Sequence, residues 1–147
     1  MFRSIRVPKP ALLALLLLAA APACTRSGGV PGKVAGTIDV SPALAAKLKP
    51  TDTLYVIARA QQVGPPSAVL RIEHPTFPLK YAIGAEHSMI PDMAKNDFNA
   101  GGNLTLAARI SRTGNALPAA GDLEGVFAKN PAHPGDGGID ITIDKER

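Results

Sequence analysis

Period-two alternation of apolar and polar residues, in runs too short for a packed helix, most constrains the fold. Residues 104–112 place Leu104, Leu106, Ala108 and Ile110 on one side and Thr105, Ala107, Arg109 and Ser111 on the other. This is the repeat of a half-buried β-strand. The same alternation recurs at residues 34–40 and at 139–143, where Ile139, Ile141 and Ile143 alternate with Asp140 and Thr142. Residues 54–60, 68–73, 77–83 and 123–128 are four more strand candidates, with Pro78 excluding the start of the third of these from a central ladder position. Glycine and proline separate these runs, with 14 of each in the chain.

One stretch predicts a helix. Ser41 is an N-cap residue followed by Pro42 at the first helical position, and Pro50 stops the chain beyond it. Residues 85–100 show no clear period. About seven short strands with one brief helix predict an all-β sandwich with Greek-key-like connections, immunoglobulin-like or cupredoxin-like. With four Phe, two Tyr and no Trp, its core must be aliphatic.

The first 23 residues do not belong to that sandwich. Arg3, Arg6 and Lys9 precede an apolar run of 11 residues at 11–21, and Ala21-Pro22-Ala23 follows. This is the pattern of an export signal, shorter than a membrane-spanning helix. Ala21-Pro22-Ala23 suits ordinary signal peptidase. The sole cysteine, Cys24, stands directly after it, as in a bacterial lipoprotein whose thiol is acylated. The lipoprotein is preferred, because an exported chain has little other use for one unpaired thiol. Residues 24–33 form a flexible tether and 34–147 the β-domain. The expected location is the periplasm, with a lipid anchor in a membrane. Thr25 and Arg26 supply no acidic retention signal, which favours the outer membrane.

Charge excludes nucleic acid as a partner. The chain has 16 basic and 12 acidic residues, but three of the basic ones lie in the leader, leaving 13 against 12. No basic stripe with interleaved aromatics is present. No catalytic motif is present either: there is no nucleophile elbow, metal-ligand helix motif or phosphate loop, and the chain is expected not to be an enzyme. His74 and His133 fall in loops and are expected to be solvated.

Two groups of residues could carry contacts. His87, Met89 and Met93 put an imidazole and two thioethers within seven residues, a donor set suited to Cu(I). Electron transfer at a blue-copper site is excluded, because that needs a cysteine thiolate. The plainer alternative is that Met89 and Met93 plug the end of the sandwich. The second group is Arg109, Arg112 and Asn115, around the Thr113-Gly114-Asn115 turn. The arginines are an odd number of positions apart, so a regular strand would point them to opposite faces unless a bulge or the turn re-aims one. They either bind a carboxylate or peptide, since a guanidinium fork suits planar acceptors, or brace the loop from Asn115 to Gly121.

Four segments occur in an order that resembles a known family: SPALAAKLKPTDTLYVIARA at 41–60, GPPSAVLRIEHPTFPLKYAI at 64–83, SMIPDM at 88–93 and ARISRTGNALPAAGDLEG at 108–125. Together they resemble the C-terminal periplasmic β-domain of c-type cytochrome biogenesis proteins of the CcmH/CycH type, over residues 36–143. The resemblance implies an accessory of cytochrome c maturation that contacts the apocytochrome or the maturation machinery, with no catalytic residue or cofactor. Long family members place membrane helices and a tetratricopeptide-repeat domain before this β-domain. Here a leader precedes it and no helical repeat is seen.

Overall fold

Every apolar member of the 104–110 alternation is completely buried, and the strand it predicts is β5 (Thr105–Ser111). The computed structural model describes residues 28–99 and 101–147. The leader, Cys24 and the start of the tether lie outside the described residues. The other strands are β1 (Lys33–Val40), β2 (Thr53–Arg59), β3 (Ala68–Glu73), β4 (Leu79–Gly84), β6 (Leu123–Val126), β7 (Ile141–Ile143) and β8 (Lys145–Glu146). Helix α1 (Pro42–Ala45) follows β1 with Pro42 in its first turn, as its sequence predicts. β4 begins at Leu79, directly after Pro78. The aperiodic stretch after β4 holds a 3-10 turn (Ala85–His87) and a helix, α2 (Pro91–Asp97).

Two sheets face each other as a β-sandwich. One has the order β4-β1-β7 and the other β3-β2-β5-β6-β8. The inner faces meet in an aliphatic core that includes Val34, Ile38, Leu54, Val56, Ile83, Leu106, Ile110, Leu123, Ile141 and Ile143. Tyr81 is an exception in chemistry rather than in position. It is buried, and its hydroxyl donates to the Ile139 carbonyl at 2.8 Å. Burial pushes its phenol well above the ordinary range, so it stays a donor.

The C-terminal run closes one side of the sandwich. β7 pairs in parallel with β1, the Asp144 amide donates to Glu124, and β8 then pairs with β6. One continuous run therefore passes from the first sheet to the second. The passage requires Gly125, because a Cβ there would collide with the Thr142 carbonyl oxygen. Beyond β6, Asn130 takes the place of a strand partner. Its side chain accepts from the Leu106 amide at 2.8 Å and donates to the Leu106 carbonyl at 3.1 Å. The opposite side is open among the described residues: β3 is an edge strand, with β2 as its one ladder neighbour there.

Substituting Gly125→Ala should lower stability by about 1–3 kcal/mol or more, since the obstructing atom is backbone and cannot rotate away. The check is the urea midpoint by circular dichroism, which should fall without a change in slope.

Candidate functional site

The arginines singled out by the sequence are held by two buried aspartates. Arg109 points to the outer face of β5 yet is only 4% exposed, because the 112–122 loop folds over it. Its Nη1 donates to Asp122 Oδ2 at 2.6 Å and to the Leu117 carbonyl at 3.1 Å, and Nη2 donates to the Ala116 carbonyl. The guanidinium also lies 5.2 Å from the centre of the Tyr55 ring, a cation–π distance. The Tyr55 hydroxyl donates to the Gly114 carbonyl at 2.6 Å, tying the turn to β2. Gly114 has φ 73, the left-handed conformation that its turn position needs.

Arg112 lies one residue past the end of β5. The turn frees it from the strand's alternation. Its Nη1 donates to Asp52 Oδ2 at 2.7 Å and its Nε to the Gly121 carbonyl at 3.3 Å. Both arginines thus form the loop-bracing bonds that were the alternative to a ligand clamp. Asn115 stands exposed at the tip, and Leu117 is exposed near it.

Asp122 is completely buried and accepts from three donors. They are Arg109, the Ala119 amide at 3.0 Å and the Arg112 amide at 3.1 Å. Burial alone would raise its pKa. The two amides and the guanidinium outweigh burial and hold the carboxyl below the ordinary carboxylate range. Asp52 and Asp122 were not singled out from sequence, because nothing local marks which carboxylates fold under the loop.

The methionine stretch is arranged differently from the expected plug. Met89 is 97% exposed and fills no gap in the sandwich, because the 3-10 turn carries it outward beside β3. With Ile90 and His87 it lines an apolar cleft of about 380 Å³, whose other wall is Pro65, Pro66, Ala68 and Val69. Met93 lines a neighbouring cleft with Ala60, Val63 and Ser67. His87 Nδ1 accepts from the Gly84 amide at 3.2 Å, leaving Nε2 as its remaining nitrogen. The three donors considered for Cu(I) do not line one cavity. His74 and His133 are exposed in loops, as expected. Gly64, Pro65 and Pro66 open the second of the four family segments, but nothing in the sequence places them opposite Met89.

The description of the cytochrome c-type biogenesis protein H Ig-like domain matches residues 34–144, from the second residue of β1 to the end of β7 and one residue beyond. This chain belongs to that family. An uncharacterized protein of Aquifex aeolicus is 35% identical over 114 residues, covering 76% of this chain and 70% of that protein. Cytochrome c-type biogenesis protein CycH of Pseudomonas aeruginosa is 33% identical over 98 residues, covering 66% of this chain. The matched part is 23% of that CycH protein's length. No solved structure matches the chain. The Ig-like match agrees with the sandwich and with the resemblance of the four segments.

Replacing Asp122 by Asn leaves the buried Arg109 without its charge partner and should cost about 3–5 kcal/mol. The native carboxyl titrates below its unfolded value of about 3.9. Its contribution is therefore complete above that pH and is lost as pH falls through the lower folded value. In urea titrations between pH 3 and pH 7, wild type should lose stability on the acid side more steeply than Asp122→Asn. Separately, a Met89→Ala/Met93→Ala double variant should take up Cu(I) as wild type does in a competition titration. A site built on both thioethers would show a clear loss.

Proposed function

We propose that this chain is a periplasmic accessory of cytochrome c maturation that works by protein contacts rather than by catalysis. The observation that carries the proposal is the match to the cytochrome c-type biogenesis protein H Ig-like domain over residues 34–144, nearly the whole described domain. The leader pattern and Cys24 support export and a lipid anchor facing the periplasm, with the outer membrane preferred.

The contact surface best suited to apocytochrome or a maturation protein is the open edge of the sandwich. β3 offers a strand edge that is unpaired among the described residues, to which an extended peptide can add main-chain hydrogen bonds. Beside it lies the cleft of Pro65, Val69, Met89 and Ile90, able to take an apolar side chain. Val63, Met89 and Ile90 are exposed apolar residues in this region.

Purified haem-free apocytochrome c should bind the full chain in fluorescence anisotropy. A Met89→Asp/Ile90→Asp variant should bind at least about tenfold more weakly, the loss of one apolar anchor. If neither apocytochrome nor any maturation protein binds wild type, the proposal fails.

A further inference from the structure

The solvent face of the five-stranded sheet carries an apolar row at a position where antiparallel sheets are normally polar. Register places Val69 opposite Ile57, Ile57 opposite Ala107, and Ala107 opposite Val126. Four adjacent strands thus contribute one side chain each to a line running across the sheet. At the usual strand spacing this line is roughly 14 Å long. Val69, Ile57 and Ala107 are half-buried, and Val126 is 56% exposed. Toward β8 the row becomes the floor of a groove of about 220 Å³, with Pro118 in one wall.

Cations bound this groove. Arg59 on β2, with Lys145 and Arg147 at the other end, line it. Arg147 pairs with Glu124 at 3.0 Å, and Arg109, also in the lining, is neutralised by Asp122. Arg59 and Lys145 form no ion pair among the described residues. Among the described residues Arg59 donates its side-chain hydrogen bond to the Gly64 carbonyl, at 2.8 Å. Arg109 Nε is buried without a hydrogen-bond partner among the described residues. An apolar floor between two uncompensated cations calls for a ligand with the opposite pattern.

We propose that this groove docks an acidic segment of a partner protein, with apolar side chains on the Ile57–Ala107–Val126 row and a carboxylate at each end. Arg59 and Lys145 stand on strands three spacings apart, and register offsets them by four residues along the strands, since Arg59 lies opposite Thr105 whereas Lys145 lies in the row of Glu124 and Arg109. The diagonal is roughly 20 Å. An extended chain covers that distance in about six residues. Residues i, i+2, i+4 and i+6 of such a chain share one face. The segment therefore reads acidic, any, apolar, any, apolar, any, acidic. A peptide fits better than an anionic bilayer. The cations flank a recessed floor rather than a flat plane, and Glu124 inside the groove would repel a continuous layer of phosphates. The groove shares no lining residue with the cleft at the β3 edge and needs no maturation protein for its test.

The test titrates the full chain into a fluorescein-labelled, end-blocked Glu-Ser-Leu-Ser-Leu-Ser-Glu peptide. Lys-Ser-Leu-Ser-Leu-Ser-Lys and Glu-Ser-Ser-Ser-Ser-Ser-Glu peptides are the controls, and anionic phosphatidylglycerol vesicles are assayed in parallel by sedimentation. The first peptide should bind about tenfold more tightly than either control, and its binding should weaken as salt rises. An Arg59→Glu/Lys145→Glu variant should lose about tenfold in affinity, and Val126→Asp a similar amount. All three positions are solvent-facing, so circular dichroism should show both variants folded. Equal binding of the three peptides, or full retention by the Arg59→Glu/Lys145→Glu variant, overturns the proposal. Capture by vesicles without peptide binding also overturns it, in favour of a membrane surface.

Discussion

Asp122 is the residue on which the outer half of the sandwich depends. Its side chain binds Arg109 on β5 and the amides of Ala119 and Arg112, and its carbonyl accepts from the Arg147 amide at 2.9 Å. One residue thereby joins the exit of β5, the loop that follows, and the last strand of the sheet. A buried ion pair in isolation is a poor stabiliser, because desolvating two charges offsets their attraction. Here two backbone amides supplement the guanidinium, so the carboxylate is well solvated by the protein itself. Arg112 extends the same bracing to Asp52, at the turn before β2.

That bracing explains the asymmetry between the two sides of the sandwich. At the C-terminal side, the run from β7 to β8 passes from one sheet to the other and leaves little free edge. At the other side β3 has an edge unpaired among the described residues, shielded in part by the 3-10 turn and the Met89 region. Natural β-proteins usually blunt such edges, and an edge left beside an exposed apolar cleft is a place for a partner strand. The apolar row across the outer face is a second departure from the inward-apolar, outward-polar rule. Both surfaces belong to the same five-stranded sheet, and Val69 contributes to each.

Much of this was legible in residues. Seven strand runs were visible as alternating or apolar stretches, and Pro78 marked where β4 could not yet begin. The terminal run was less legible: Ile139 is buried outside any ladder, β7 keeps only Ile141–Ile143 of the run, and β8 lies beyond it. Helix α2 was missed although Pro91 stands in its first turn, the same signal that marked α1 at Pro42. Its only inward residues are Ala94 and Phe98 at its end, too few to make a periodic signal. Arg109 and Arg112 were recognised, and their odd spacing was resolved by the turn. Their partners were invisible, since Asp52 is 60 residues from Arg112.

Local chemistry by itself determined the strands, the N-terminal helix, the aliphatic core and the family, because period-two alternation and turn residues act over a few positions. Tertiary structure alone decided which surfaces remain open. Strand order placed Val69, Ile57, Ala107 and Val126 in one row, and it set Pro65 beside Met89 across a gap of more than 20 residues. Such neighbours share no sequence spacing. They meet only because hydrogen-bond register fixes which residues of different strands stand side by side.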